Sequence, residues 1–277
     1  MLTAAFGARI RGRRGSKEQF KMASELFKVE RLHNYAILTL NRPEKRNSMN
    51  QPMLAAINEA LASIEDDKEM RAVILRGNGK AFCSGIDLAE AANTEGGHNP
   101  VNLEHMFHRL ENMPVPVIAA MQGAALAGGC ELALHCDIRV AADDLRMGMT
   151  VARVGLVVPY NFIRKLIEII GSANTAQILY TAEPVKAERA LAMGMIHEIV
   201  PAEKLDEAAI AWADRISANA PLSLRVMKKS IRRALSASND AWHDDLTEMA
   251  RAVRSSKDAK EGMRAFLEKR KPVWKAE

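Results

Sequence analysis

Cysteine is scarce in this sequence: Cys83, Cys130 and Cys136 are the only three in 277 residues, and no two form a C-x-x-C pair. So few, in an odd number, support neither a disulfide framework nor a zinc site, and they point to a reduced, cytosol-like compartment. Long apolar runs are missing as well. The longest, such as VPVIAAM, suit single buried strands and fall short of the ~18 residues of a membrane span, so a soluble protein without a membrane partner is expected. Several nucleotide and hydrolase signatures are also absent. GNGKAF lacks the third glycine of a dinucleotide fingerprint, and GAALAGGC ends without the Lys-Ser/Thr of a phosphate-cradling loop. Ser84 sits outside a G-x-S-x-G elbow and has no histidine placed to serve it. His105 and His108, in EHMFHRL, come without a carboxylate ligand pattern, so no metal is expected.

What is present begins with an ordinary globular composition, 48% hydrophobic and 26% charged, enough for a full core in one large domain or two small ones. The net charge of +5 is local. Arg9, Arg11, Arg13, Arg14, Lys17 and Lys21 against Glu18 account for all of it, so the rest of the chain is neutral. Residues 1–24 therefore read as a disordered basic leader: a transit peptide, a tail for an anionic partner, or an inert stretch before Met22 of MASELFKVE. Location follows that choice, cytoplasmic unless residues 1–21 direct the chain to an organelle matrix. The neutral body argues against a nucleic-acid partner, since nonspecific affinity comes mainly from basic charge meeting phosphates.

From residue 25 the organisation is legible. LFKVERL and YAILTL read as a hairpin, and PMLAAINEALASIED has the apolar spacing of a helix with proline near its start. RAVILRG and VPVIAAMQG are short buried strands, each leading into a glycine turn, and DIRVAAD is a third. From about residue 160 the pattern is mostly helical. An α/β core over 25–215 and a helical segment over 216–277 follow, with a break near APLSL at 220–224.

The two glycine turns, AFCSGIDL and GAALAGGCELALHCD, carry the chemistry. A helix starting near Gly128 directs unpaired N–H groups and the positive end of its dipole at the preceding loop. If the loop after Cys83 brings a second N–H beside it, the pair forms an oxyanion hole; otherwise these are two independent turns. Glu131 reads either as a first-turn acid favoured by the helix dipole or as a proton-transfer group. Asp87 and Asp137 read as structural acids that hold turns through backbone hydrogen bonds.

NRPEKRNSMN, AFCSGIDL, GAALAGGCELALHCDIRVAA and NAPLSLRVMKKSI with EGMRAFLEKRKP, spanning about residues 25 to 273, together resemble the crotonase, or enoyl-CoA hydratase/isomerase, superfamily. The resemblance implies a ββα spiral core with a C-terminal helical segment that builds homotrimers, often paired into hexamers. It implies a coenzyme A thioester as substrate, with no prosthetic group. The thioester oxygen would be held by the N–H groups of Ile86 and Gly128, and Glu131 would match the first of two hydratase glutamates. Lys45, Arg46 and Ser84 would lie along the coenzyme A, while Phe266, Lys269 and Lys271 would reach a neighbouring subunit's nucleotide.

The second hydratase glutamate has no counterpart. MTVARVGLVVPYN puts Val151 or Ala152 at its place, and no acid lies between Asp144 and Glu168. Arg153 in that segment reads as a surface residue or as a partner for a substrate carboxylate. VPYN, YTAEPVKAERALAMGM and the single retained glutamate also resemble the methylmalonyl-CoA decarboxylase branch, with Tyr160 near the substrate, although that branch carries histidine where this chain has Ile86. Three readings follow: a hydratase/isomerase-type lyase, a malonyl-type acyl-CoA decarboxylase, and a non-catalytic acyl-CoA- or RNA-binding member of the fold.

Overall fold

The computed structural model describes residues 20–93, 103–236 and 251–273, apart from residues 33 and 253. Strands β2 (Phe27–Arg31) and β3 (Tyr35–Leu40) form the expected antiparallel hairpin. Among the described residues the main sheet has seven strands in the order β1-β2-β3-β4-β5-β7-β10, where β1 is Phe20–Ser24, β4 Ala72–Gly77, β5 Val117–Met121, β7 Ile138–Ala142 and β10 Glu198–Val200. From β3 onward every pair is parallel. A second sheet of three strands, β6 (Ala124–Leu126), β8 (Arg146–Gly148) and β9 (Val185–Lys186), closes the turn of a ββα spiral.

The assignment of residues 1–24 to a leader needs correction at its end. Residues Phe20–Ser24 form strand β1, antiparallel to β2, because the outer edge of the hairpin offers unpaired backbone groups. The other leader residues lie outside the described ones. β9 and β10 also fall in the stretch read as mostly helical, since two or three residues are too few to show a period.

Parallel strands covered on both faces read as continuous apolar runs, and here alternate residues serve two cores. Leu38, Val73, Leu75, Val117, Ala119 and Met121 face the larger one, which holds helix α1 (Gln51–Glu65). Ile37, Ile74, Ile118, Ala120 and Val140 face the smaller one, with Leu205, Ala209 and Ala213 of α7 (Leu205–Ser217). Asn50 caps α1 by accepting from the Met53 N–H, and Met53, Leu54, Ile57, Leu61 and Ile64 bury its inner face. Each fully buried side chain of that size contributes roughly 1.5–3 kcal/mol, so Leu61→Ala would cost about 2–5 kcal/mol with its cavity.

Four further helices position the site: α2 (Leu88–Asn93), α3 (Leu103–Glu111), α4 (Gly128–Leu134) and α5 (Tyr160–Thr181). Helix α5 is broken at Gly171, where φ is 73°. A short α6 (Ala187–Ala192) precedes β10. The break near APLSL is the start of α8 (Pro221–Ser236), with proline in its first turn. Its Lys228 bonds the Asp137 carboxylate (2.6 Å) and the Val115 carbonyl (2.9 Å), tying the helix to the ends of β5 and β7. The last helix, α9 (Lys257–Leu267), is capped by Ser256 and packs on α2 and on the 3-10 turn Val151–Val154. None of the helices described is long and apolar enough to cross a membrane.

Candidate active site

The loop from β4 to α2 and the turn from β6 to α4 are joined by backbone. Cys83 pairs with Ala125, and Met49 pairs with Ile86, as isolated parallel bridges. The Met49 N–H donates to the Gly85 carbonyl (2.8 Å), and Met49 accepts from the Asp87 N–H (2.9 Å). This bridge uses the peptide groups on either side of Ile86, so the N–H of Ile86 turns the opposite way. It has no hydrogen-bond partner among the described residues. Gly128 opens α4, and its N–H, lacking an intrahelical acceptor, is likewise unpaired there.

These two N–H groups are near neighbours. A Cβ on Gly128 would lie 3.6 Å from the Ile86 nitrogen, and one on Gly85 would lie 3.1 Å from the Gly128 nitrogen. Gly85 also has φ of 100°, a conformation that L side chains rarely adopt. Between the two turns Ala127 is held at φ 50°, strained for a residue with a Cβ and fixed by its N–H donating to the Gly148 carbonyl (2.9 Å).

Glu131 stands in the first turn of α4 and is 8% exposed. No donor among the described residues reaches its carboxylate. Burial first, and then the negative charge of Glu104 on α3, push its titration up to about 8, with Lys165 opposing. A carboxyl group in this setting holds its proton near neutral pH and can both give and take one.

Behind Glu131 lies a polar network. His135 Nδ1 donates to the Glu131 carbonyl (2.8 Å), and its ring stacks on Phe107 and Phe162 with centroids 5.0 and 6.1 Å away. Burial holds the imidazole neutral, pushing its titration down to about 4. Glu111 accepts from Lys165 and Arg232; burial works against its charge, but these cations keep it below the usual carboxylate range. Asp137 accepts from Val117 N–H, Lys228 and Arg232, and Asp87 accepts from Arg42 and from the first N–H groups of α2. Both acids thus hold turns and ends together.

Of the residues singled out from sequence, the fold brings Ile86, Gly128 and Glu131 into one site. Lys45, Arg46 and Ser84 form a second group: the Ser84 N–H donates to the Arg46 carbonyl (3.1 Å) and its hydroxyl reaches the Lys45 carbonyl (3.5 Å). Phe266 and Lys269 sit exposed at the end of α9, with Lys271 just beyond, and share no hydrogen bond with that group among the described residues. Tyr160 begins α5 and is half-buried. Val151–Val154 is a 3-10 turn with Ala152 and Arg153 exposed. His105 and His108 are both exposed on α3.

Sequence reading did not single out Glu104, whose negative charge helps to raise the Glu131 titration. EHMFHRL drew attention for its histidines, and nothing local shows that a glutamate of this helix acts on Glu131.

Comparison with known proteins agrees with this geometry. The enoyl-CoA hydratase/isomerase family profile matches residues 30–277. The short-chain-enoyl-CoA hydratase of Clostridium acetobutylicum is 35% identical over 88% of this chain and 95% of its own. The crotonyl-CoA hydratase of Syntrophomonas wolfei is 32% identical over 90% of this chain and 98% of its own. Among solved structures, methylmalonyl-CoA decarboxylase in complex with 2-nitronate-propionyl-CoA superposes with a TM-score of 0.83 at 29% identity, covering 91% of this chain and 99% of the other. Two apposed glycine turns, an acid in the helix that follows, a ββα spiral and a match over nearly the whole chain make this protein a member of the enoyl-CoA hydratase/isomerase family, within the crotonase superfamily.

Proposed function

We propose that this protein is an acyl-CoA lyase of the hydratase/isomerase type, which stabilises a thioester enolate between the Ile86 and Gly128 N–H groups. The observation that carries it is the pairing of those two free donors with Glu131, a buried acid lacking a hydrogen-bond donor among the described residues. As the carbonyl oxygen takes on negative charge, the donors need no reorganisation to meet it, and each contributes roughly 3 kcal/mol to lowering the barrier. Glu131 then moves the proton at the α-carbon. With titration near pH 8, its carboxyl form is available as a donor at neutral pH.

The substrate's handle is coenzyme A, held along Lys45, Arg46 and Ser84, with Phe266 and Lys269 reaching a neighbouring subunit's nucleotide. No prosthetic group takes part. Helix α8 leaves Leu222, Val226 and Ile231 at 59% exposure or more, an apolar surface suited to a second and third copy of the chain, as a homotrimer or a hexamer of two trimers. The working location is cytoplasmic.

A second reading has its own support. The turn Val151–Val154 carries no carboxylate, and Tyr160 follows it at the head of α5. A malonyl-type thioester losing CO2 forms the enolate directly, so the two donors carry the barrier and Tyr160 assists. Mass spectrometry of products from crotonyl-CoA and methylmalonyl-CoA separates the readings. Hydration that collapses in Glu131→Gln supports the first, whereas CO2 release that survives Glu131→Gln but not Tyr160→Phe supports the second. Neither product with the wild type leaves acyl-CoA binding without turnover.

A further inference from the structure

The Ile86 donor owes its direction to a neighbouring segment. Within the trans peptide that joins Gly85 to Ile86, the carbonyl and the N–H point opposite ways. Met49 donates to that carbonyl (2.8 Å) and accepts from the next N–H, that of Asp87 (2.9 Å), so the position of Met49 decides where the Ile86 N–H is aimed. The segment before Met49 bends through two consecutive left-handed residues, Arg46 at φ 51° and Asn47 at φ 55°. Reciprocal bonds hold the bend: the Asn47 N–H donates to the Arg42 carbonyl (2.9 Å), and the Arg42 N–H donates to Asn47 Oδ1 (2.8 Å). The Asn47 side chain is fully buried and also donates to the Asn78 and Ala81 carbonyls.

One guanidinium nitrogen stitches this segment to the Ile86 loop. Nη1 of Arg42 lies 2.6 Å from Asp87 Oδ2, 3.2 Å from the Ser48 carbonyl and 3.3 Å from Ser48 Oγ. Ser48 precedes Met49 and Asp87 follows Ile86, so the arginine spans the flanks of the Met49–Ile86 bridge. Both side chains of the ion pair are 15% exposed, a setting in which a charge-assisted bond is strong and little screened by salt. The other carboxylate oxygen of Asp87 accepts from the Ala89 and Glu90 N–H groups, so the same acid starts α2. Lys45 and Arg46 belong to the stitched segment, and their carbonyls take the Ser84 hydroxyl and N–H.

We infer that Arg42 and Asp87 are positioning residues for the thioester oxygen: their ion pair locks the segment assigned to coenzyme A onto the loop that aims the Ile86 N–H. Neither side chain touches the reacting atoms. An oxyanion donor is most effective when it is aimed beforehand, because turning a peptide during the reaction takes back part of what the hydrogen bond gives. The aim of a backbone N–H therefore rests on whatever fastens its own peptide. Without the ion pair, Met49 and Ile86 remain bridged but can shift together relative to Gly128, which is held separately by α4 and by the Ala127 N–H on the Gly148 carbonyl. Asp87→Asn removes the charge and keeps the shape. Arg42→Lys keeps the cation and gives up the fixed guanidinium fork.

The inference rests on the enolate reading, and the test keeps the two apart. Full-length wild type, Asp87→Asn and Arg42→Lys are loaded with butyryl-CoA carrying a carbon-13 label at its carbonyl. Three quantities are measured: the affinity, the infrared carbonyl stretch of the bound thioester, and exchange of its α-protons into deuterium oxide. In the wild type the two donors should lower the stretch on binding. Asp87→Asn should bind within about threefold of wild type, lose much of that lowering, and slow exchange at saturation by about ten- to a hundredfold; Arg42→Lys should fall between. A wild type that lowers the stretch, with both variants lowering it equally and exchanging at the same rate, overturns the inference alone. Variants that lose affinity and thermal stability without moving the stretch also overturn it, since they mark a packing role, and so does failure of both variants to fold. A wild type that leaves the stretch of the bound thioester unmoved overturns the enolate reading itself.

Discussion

His135 donates from Nδ1 to the carbonyl of Glu131 at 2.8 Å, so the end of α4 is fastened to the residue that carries the site's buried acid. The carbonyl can only accept, which fixes the proton on Nδ1 and leaves Nε2 facing Glu111 at 3.9 Å. Because burial pushes the folded titration from 6.5 down to about 4, the unfolded chain takes up a proton first as the pH falls. Stability from this group is complete above about 6.5 and is lost as the pH falls toward about 4. The expected loss is on the order of 3 kcal/mol. Urea melts across that window should show it, and His135→Asn should flatten the slope.

Glu131 works in the opposite sense. Its folded titration is raised from 4.5 to about 8, so its contribution is complete below 4.5 and is lost as the pH rises to about 8. Glu131→Gln keeps the shape and cannot ionise. We expect the variant to gain stability relative to wild type as the pH rises through that window, by a few kcal/mol, while turnover falls on the order of a hundredfold or more. Parallel melting and rate profiles check both. A variant that is no more stable at pH 8 than the wild type would contradict the burial argument.

Gly85 sets the spacing of the two donors. A Cβ there would come 3.1 Å from the Gly128 nitrogen on a backbone at φ 100°. Gly85→Ala retains both N–H groups yet must push the turns apart, so it should cost about 1–3 kcal/mol of stability and about a hundredfold in turnover of any accepted thioester. Full turnover in a folded Gly85→Ala would show that the closeness of the turns is irrelevant to the chemistry.

Asp137 anchors α8. It holds Lys228, which is 8% exposed, and Arg232 at 2.6 and 3.0 Å. Asp137→Ala leaves a buried ammonium without its counter-charge, for which a loss of about 3–5 kcal/mol is expected. Denaturant titration measures it. Lys228→Met in the same background should recover a large part, because the stranded charge is gone while the apolar stem remains.

The strands and helices that are long or strongly periodic were legible in the sequence. AVILRG and VIAAM announced buried strands, PMLAAINEALASIE announced an amphipathic helix, and glycine at 85, 128 and 129 announced close backbone approach. Such signals are local, since period and backbone freedom are written in neighbouring residues. The placing of β1 against β2, the short strands β9 and β10, and the adjacency of the Ile86 and Gly128 donors came from the tertiary structure. Each depends on which edges and loops meet, and no local stretch records that. Glu104 is the sharpest case. Its own helix distinguishes it in no way from a solvated glutamate, and only the tertiary fold lets its charge act on Glu131. Sequence alone determined that an acid would sit one turn into a helix behind a glycine pair. The fold decided that this acid would be buried and its titration raised to about 8, because desolvation and charge act through space.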